Sequence, residues 1–130
     1  FSMELNNRTR SFNTRVYAVH PGSIGGTELG REAPLELFQK MGFVDAEGNM
    51  LPEVAASLKT VSQGAATTVW CATSPLLSNI GGVYCEDGDI ASLCADISTQ
   101  KGVNPYSLDE ESSKKLWTLT EEMTGIKFDL

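Results

Sequence analysis

The chain has 130 residues, 41% of them hydrophobic, and a formal net charge of −7. This length and apolar content are typical of one folded domain and exclude wholesale disorder. The negative charge argues against nucleic acid or an anionic membrane surface as a partner, because both require a basic footprint. No apolar run approaches the length of about 18 residues that a membrane span needs.

The cysteines and acidic residues do not indicate a metal site. Cys71, Cys85 and Cys94 are widely spaced, no Cys-x-x-Cys pair occurs, and the chain has a single histidine. An odd number of cysteines without a framework is typical of a reduced, cytoplasmic protein, and we interpret all three as small core or near-surface residues. The acidic turn over residues 86–89 lacks the spacing of a calcium loop and is interpreted as solvated.

The first predicted elements are a helix end and a strand. Apolar residues among polar ones over residues 1–9 predict the end of an amphipathic helix, and because the pattern begins inside a helix we expect further sequence upstream of Phe1. Residues 15–20 form the first predicted strand. The uncharged, β-branched and aromatic residues within it suit a strand that is covered on both faces.

A glycine-rich loop follows this strand. Pro21 ends the strand because it has no N–H to donate, and Gly22, Gly25 and Gly26 allow positive φ angles and a close approach of the backbone. Ligands of open α/β sheets bind beyond the carboxyl ends of strands, so we predict a ligand-facing loop in which Thr27 offers a hydroxyl. An ordinary Pro-Gly turn is the alternative. The glycine spacing does not match the dinucleotide fingerprint.

Two helices are predicted after the loop. The first spans residues 33–42, with Pro34 in its first turn and Gly42 beyond its end. The second is a single long helix over residues 52–73. Apolar residues recur through it at helical spacing: Val54, Leu58, Val61, Ala65, Val69 and Ala72. Gly64 costs stability relative to alanine inside this helix, which indicates a close backbone approach.

A second strand is predicted over residues 81–86, so the long helix would connect two parallel strands. Residues 90–106 are expected to be irregular. Ser107 and Glu110 have the spacing of a capping box and predict the start of a final helix that ends at Gly125. Its inward face is expected to comprise Leu108, Leu116, Leu119 and Met123, with Trp117 beside them.

Two parallel strands do not form a stable sheet, because a parallel sheet needs further strands and covered faces. The first strand would have an unpaired edge. The missing strands therefore belong to another chain or segment, or they are hidden in residues 90–106, where Ile90, Leu93 and Ile97 are the only candidates.

Four segments in this order resemble the C-terminal half of the short-chain dehydrogenase/reductases, nearest to the retinol-dehydrogenase-like and protochlorophyllide-reductase-like members. They are residues 19–24 with 27–29, residues 63–67, residues 81–84, and the final helix with Leu116 and Trp117. The resemblance covers nearly the whole chain. It implies an α/β fold, with residues 1–130 as a single partial domain that forms the C-terminal portion of a Rossmann-like doubly wound parallel sheet.

The resemblance also implies a cofactor and a substrate. In that family the Pro-Gly loop closes over the nicotinamide of NAD or NADP, and hydride passes to or from a carbonyl or alcohol substrate. The implied cofactor contacts are Pro21, Gly22, Ser23, Ile24 and Thr27. Residues 28–50 would be a mobile lid over the substrate. The implied substrate contacts are Leu29, Leu37 and Phe38.

The chain departs from the family pattern because it lacks the motifs that carry catalysis and nucleotide binding in that family. The family's glycine-rich nucleotide loop is absent, and so are its Tyr-x-x-x-Lys pair and the Ser and Asn partners of that pair. None of Tyr17, Tyr84 and Tyr106 has a lysine four residues later. We therefore expect no catalytic residue in these 130 residues, and we expect the chain alone to be inactive. Phe1 would lie just after the position of the missing lysine.

Three interpretations of function remain open. The leading one is the C-terminal portion of an NAD(P)-dependent oxidoreductase that forms a homo-oligomer through the long helix and the last strand, or that lacks its N-terminal half. The alternative is a non-catalytic, truncated protein that acts by binding or assembly, for which an unpaired strand edge would be suited. A self-contained binding domain ranks last, because it requires the hidden strands.

Overall fold

The computed structural model describes residues 1–94 and 101–130, which divide into two compact units. The first unit comprises residues 1–20 and 67–130, and the second comprises residues 21–66. The helices are α1 (Ser2–Thr9), α2 (Leu35–Lys40), α3 (Pro52–Ser57), α4 (Val61–Thr73) and α5 (Glu110–Thr124). The strands are β1 (Tyr17–His20), β2 (Val83–Glu86) and β3 (Asp89–Ile90).

A small open sheet in the order β1-β2-β3 organises the first unit. β1 and β2 are parallel, with Tyr17 opposite Val83 and His20 opposite Glu86. β3 returns antiparallel to β2 after a tight turn. Parallel strands joined through helices confirm the expected α/β class and the partial Rossmann-like arrangement. Within residues 1–94 and 101–130, no strand pairs with the other edge of β1.

The core of the first unit is small. Cys71 of α4, Leu77 and Cys85 of β2 are buried together. Partly buried side chains pack around them: Tyr17, Val19, Trp70, Val83 and Ile90. The Tyr17 hydroxyl donates a 2.8 Å hydrogen bond to the Ile80 carbonyl, which fixes β1 to the segment that leads into β2. The buried Cys71 and Cys85 agree with the expectation that these cysteines are core residues.

The helices α1 and α5 pack through one aromatic residue. Trp117 is buried because the Phe1 ring stacks on it at 4.9 Å between ring centroids and the Arg8 guanidinium lies 4.6 Å from its centroid. The indole N–H donates to the Glu121 carboxylate at 2.9 Å. Arg8 is held over the indole by an ion pair with Glu4 at 2.7 Å.

The prediction of one long helix over residues 52–73 is wrong. The chain forms α3, leaves the helical conformation at Leu58 (φ −70°, ψ 139°), and begins α4 at Val61. The break has a physical cause, since the backbone of Lys59 pairs with Ile24 in a parallel bridge and cannot also make helical hydrogen bonds. The prediction that the apolar stripe of this helix is buried is also wrong. Val61 and Val69 are exposed, and the buried positions of α4 are Gly64, Thr67 and Cys71.

The predicted start of the final helix is also wrong. Residues 105–108 form a short 3₁₀ helix, and the N-cap of α5 is Asp109, whose side chain accepts a hydrogen bond from the Ser112 N–H at 2.7 Å. Gly125 ends the helix with φ +69°, as expected. The predicted inward face is wrong as well, because the side chains that α5 buries are those of Ser113 and Trp117. The four apolar residues assigned to that face are exposed: Leu108, Leu116, Leu119 and Met123.

The described residues on either side of positions 95–100 form two strand contacts that were not expected. Ile90 belongs to β3, and Leu93 forms an isolated parallel bridge with Val103. Ile97, the third candidate for a hidden strand, lies outside the described residues. Across the described part of the chain, none of the helices is both long enough and apolar enough to cross a membrane.

Candidate cofactor loop

The loop over residues 21–27 belongs to the second unit and depends on two glycines with positive φ. Gly22 has φ +83° and Gly26 has φ +74°, in the left-handed region that residues with a Cβ rarely adopt. Thr27 then returns to an extended conformation with φ −93° and ψ 158°. The chain changes direction at both glycines. The short segment between them can therefore lie alongside a second stretch of backbone.

That neighbour is the break between α3 and α4. The Lys59 N–H donates to the Ser23 carbonyl at 2.8 Å, and the Gly25 N–H donates to the Lys59 carbonyl at 3.2 Å. These two hydrogen bonds form the parallel bridge between Ile24 and Lys59. The middle of the loop is therefore fixed to the residues that precede α4.

The bridge leaves the backbone groups of Ile24 unused. In a parallel pair, the residue between the two bonded groups directs its own N–H and C=O to the opposite side. Neither group of Ile24 forms a hydrogen bond within the described residues. A donor and an acceptor side by side on a fixed backbone are complementary to a primary amide, which has one carbonyl and two N–H groups.

Two contacts depend on the absence of a side chain on glycine. A Cβ at Gly64 would lie 2.8 Å from Ile24 Cγ1, would overlap Ile24 Cδ1, and would lie 3.8 Å from the Pro21 carbonyl oxygen. A Cβ at Gly22 would lie 2.8 Å from Cδ, Cε and Nζ of Lys59. The Ile24 side chain therefore lies directly on the bare backbone of α4, and the Lys59 side chain lies along Gly22. The close approach that the sequence indicates at Gly64 is confirmed.

A capping box positions the first turn of α4 beneath the loop. The Thr60 N–H donates to Gln63 Oε1 at 2.8 Å, and the Gln63 N–H donates to Thr60 Oγ1 at 3.3 Å. This reciprocal pair satisfies two donors at the helix start. It fixes Lys59 and Gly64 on either side of the turn, where each contacts the loop.

The predicted cofactor contacts lie in one short segment. Pro21, Gly22, Ser23 and Ile24 are consecutive, and Ser23 and Thr27 are both exposed. Thr27 is the N-cap of a 3₁₀ helix over Glu28–Gly30, and its side chain makes no capping hydrogen bond there. Both side chains are thus accessible to solvent.

The predicted substrate contacts are not brought together in the same way. Leu29 is 96% exposed and Leu37 is 44% exposed. Phe38 packs within its own segment, with its ring centroid 6.5 Å from that of Phe43, and a Cβ at Gly30 would lie 2.9 Å from its Cζ. Phe38 therefore packs against Phe43 and Gly30 within residues 28–50, whereas Leu29 is exposed to solvent.

A polar turn over residues 45–49 follows α2. The Asp45 carboxylate accepts hydrogen bonds from the backbone N–H groups of Glu47 at 3.0 Å and Asn49 at 2.7 Å, and from the Asn49 side chain at 3.0 Å. These bonds lower the pKa of Asp45, with the Asn49 side chain as the largest cause. The Leu51 N–H donates to the Phe43 carbonyl at 3.0 Å, so the two ends of the turn lie side by side.

Comparison with known proteins places the chain in a family. It is 40% identical over 101 residues to a probable oxidoreductase of Streptomyces lividans, a match that covers 77% of the chain and 33% of that protein. It is 30% identical over 126 residues to human retinol dehydrogenase 14, which covers 97% of the chain and 32% of that protein. It is 32% identical over 124 residues to a short-chain dehydrogenase/reductase of Penicillium roqueforti, covering 95% of the chain and 34% of that protein. No protein-family model matches the chain.

The chain is related to the short-chain dehydrogenase/reductases. It spans about a third of the length of the relatives that it matches. Several of these relatives are named oxidoreductases or dehydrogenases, so the chain is homologous to enzymes of oxidation and reduction.

The contact of Lys59 with the loop was not predicted from the sequence. The missed signal is Thr60-Val61-Ser62-Gln63, which has capping-box spacing and predicts a helix start at Val61. Recognising it would have ended the long helix before Lys59. Nothing in the sequence, however, indicates that the loop around Ile24 would pair with Lys59, because a single parallel bridge has no local sequence signature.

Proposed function

We propose that this chain is the C-terminal part of an NAD(P)-dependent oxidoreductase that transfers hydride between nicotinamide and a carbonyl or alcohol substrate. The relationship to oxidoreductases supports the reaction class. The observation that supports the cofactor assignment is the Ile24 backbone, which the bridge to Lys59 fixes and whose N–H and C=O make no hydrogen bond to any described residue.

These two groups match the carboxamide of nicotinamide. The Ile24 N–H would donate to the carboxamide oxygen, and the Ile24 carbonyl would accept from the carboxamide nitrogen. When bound, NAD(P) supplies or accepts the hydride. The loop would orient the ring through these backbone groups, and the exposed Ser23 and Thr27 hydroxyls would bind the carboxamide or a phosphate.

The proton-transfer residues would lie outside these 130 residues. The sequence contains no Tyr-x-x-x-Lys pair. The Tyr17 hydroxyl is engaged with the carbonyls of Ile80 and Leu77, and burial is the largest cause that raises its pKa, so it is not suited to general acid or base catalysis near neutral pH. We propose that residues 28–50 cover the substrate, with Leu29, Leu37 and Phe38 contributing apolar surface to an alcohol or carbonyl compound.

The decisive experiment begins with the intact mass of the natural protein under denaturing conditions. A mass well above 14.0 kDa is expected, because the segment alone would lack catalytic residues. Titration of that protein with NADH and NADPH, followed by fluorescence of the bound nicotinamide, is expected to give saturable binding of at least one of them. Failure of both to bind would contradict the proposed function.

One edge of β1 pairs with no strand of the described part of the chain, which supports a second candidate, a truncated protein that acts by binding or assembly. For this candidate, a natural protein of 14.0 kDa that associates with a partner and binds neither nucleotide is the expected result. The mass and the titration therefore separate the two functions.

A further inference from the structure

We infer that Gly64 is a positioning residue for the nicotinamide-binding half of the site, acting through Ile24. This inference rests on the proposed function. Gly64 lies in α4 and contacts no cofactor in our scheme. Its part is to leave room for the Ile24 side chain, so that the Ile24 backbone presents its N–H and C=O at one fixed position.

The packing at Gly64 leaves no space for even one methyl group. A Cβ there would overlap Ile24 Cδ1 and would lie 2.8 Å from Ile24 Cγ1. The tip of an isoleucine side chain can rotate away, but Cγ1 is attached directly to Cβ and moves only with the backbone or with χ1. Gly64 is buried and Ile24 is only partly exposed, so relief of the overlap requires a change in the Ile24 χ1 angle or in its backbone.

The bridge determines how the loop must respond. Ser23 and Gly25 are both bonded to Lys59, one on each side of Ile24. A retreat of the Ile24 backbone would therefore stretch or break the 2.8 Å and 3.2 Å hydrogen bonds. Either the bridge weakens or Ile24 adopts a strained rotamer, and in both cases the N–H and C=O of Ile24 leave the orientation that suits a carboxamide.

The glycine is costly for the helix itself, which makes its effect measurable. Alanine favours a helix over glycine by about 1 kcal/mol, so in Gly64→Ala the gain in helix propensity offsets part of the cost of displacing Ile24. A loss of affinity confined to the ligand that carries the nicotinamide separates positioning of Ile24 from general damage to the fold. A ligand-specific loss is therefore the result that a positioning role predicts.

The experiment compares two ligands with the complete protein that contains this chain. NADH, or NADPH if it binds more tightly, carries the nicotinamide, whereas ADP-ribose, or its 2′-phosphorylated form for an NADPH-binding protein, lacks it. Gly64→Ala is expected to weaken binding of the reduced cofactor about tenfold, the scale of a typical coupling between residues in contact. It is expected to leave ADP-ribose binding unchanged and to change the melting temperature little, because the gain in helix propensity opposes the cost of the overlap.

Two further variants test the route through Ile24. Ser62→Ala raises helix propensity in the same turn at an exposed position and is expected to bind both ligands as the wild type does. In an Ile24→Ala background, which removes Cγ1 and Cδ1, the additional loss caused by Gly64→Ala is expected to shrink to less than twofold.

The outcomes that overturn the inference are distinct. Unchanged NADH affinity in Gly64→Ala overturns it, and so does an equal loss for NADH and ADP-ribose accompanied by a lower melting temperature. If Gly64→Ala lowers the affinity for the reduced cofactor as much in the Ile24→Ala background as in the wild type, Gly64 does not act through Ile24. If the wild-type protein binds neither NADH nor NADPH, the proposed function fails and this inference fails with it.

Discussion

Gly22 meets two separate requirements in the cofactor loop. Its φ of +83° lies in the region where a side chain costs roughly 1–2 kcal/mol. In addition, a Cβ at this position would meet the Lys59 side chain at 2.8 Å. Gly26 has a similar φ of +74°, but nothing lies within 4 Å of the position of its Cβ. A side chain at either glycine would strain the backbone, but only a side chain at Gly22 would also clash with Lys59. Substitutions at the two positions therefore separate the two contributions.

The contact with Lys59 at Gly22, which Gly26 lacks, predicts different effects of a larger side chain at the two positions. Gly22→Val is expected to weaken binding of NADH or NADPH by the complete protein at least tenfold, because ~1–2 kcal/mol of backbone strain adds to the displacement of Lys59. Gly26→Val is the matched control and is expected to lose less, since it adds only the strain. Equilibrium titration of both variants checks this, and unchanged affinity in Gly22→Val would remove the loop from the site.

The buried cysteine of β2 predicts a dependence on pH. Burial is the largest cause that raises the pKa of Cys85, from its ordinary value of 9.0 to about 12, and the neighbouring Cys71 thiol adds to it. The folded state thus favours the neutral thiol. The stability that this contributes is complete below pH 9, the unfolded value, and is lost as the pH rises towards 12.

Two measurements check the assignment of Cys85. At pH 8, peptide mapping after iodoacetamide treatment is expected to find Cys85 unmodified in the folded protein and modified in urea. Urea unfolding at pH 8 and pH 10 is expected to show lower stability at the higher pH, and Cys85→Ala should reduce that difference. Rapid alkylation of Cys85 in the folded protein at pH 8 would contradict the prediction.

At the scale of elements, local patterns predicted most helices and strands but not the helix ends. The strands at Tyr17–His20 and Val83–Glu86, the short helix after Pro34 and the stop at Gly125 all follow from residues next to them in sequence. The break at Leu58 does not, because it depends on pairing between Lys59 and a loop more than thirty residues earlier. Capping-box spacing occurs at both Thr60 and Ser107, and tertiary structure decides which one caps a helix.

The buried faces of the helices were mispredicted for a related reason. Apolar periodicity marks Val61 and Val69 in α4 and Leu116 in α5, yet these side chains are exposed. Burial falls instead on Thr67, whose hydroxyl accepts a hydrogen bond from the Gly88 N–H at 3.1 Å, and on Trp117 between Phe1 and Arg8. An apolar stripe identifies a face that needs a partner but does not say whether these 130 residues provide that partner.

The capping box at the start of α4 predicts a local loss of stability. Thr60→Ala removes the acceptor for the Gln63 N–H and is expected to lower the free energy of unfolding by about 1 kcal/mol. Ser62→Ala, at an exposed position in the same turn, is the control and is expected to change it little. Chemical denaturation of the three proteins measures the difference. Equal stability of Thr60→Ala and the wild type would show that the capping hydrogen bonds contribute nothing.

At the scale of the whole molecule, the described residues leave much apolar and backbone surface uncovered. β1 has an edge without a partner in the described part of the chain, and Leu116, Leu119 and Met123 of α5 are exposed. A parallel sheet is normally covered on both faces and flanked by further strands. The chain spans about a third of its relatives, so in a longer protein other residues would cover these surfaces.

The isolated 130-residue chain is therefore expected to associate. An unpaired strand edge adds strands from other molecules, and exposed apolar side chains gain free energy when they are buried between copies. Size-exclusion chromatography with light scattering is expected to give a mass above 14.0 kDa that rises with concentration. Leu119→Lys, on the exposed face of α5, is expected to lower that mass.

Thr118→Lys is the matched control for this substitution, because it adds the same charge at the neighbouring exposed position without removing apolar surface. If both lysine variants reduce association equally, charge repulsion is the cause and the apolar face of α5 is not the site of contact. A single species of 14.0 kDa that unfolds cooperatively would contradict the prediction altogether. Such a species would mean that the described strands and helices form a stable fold without a second chain, which would favour a self-contained binding module over a segment of an oxidoreductase.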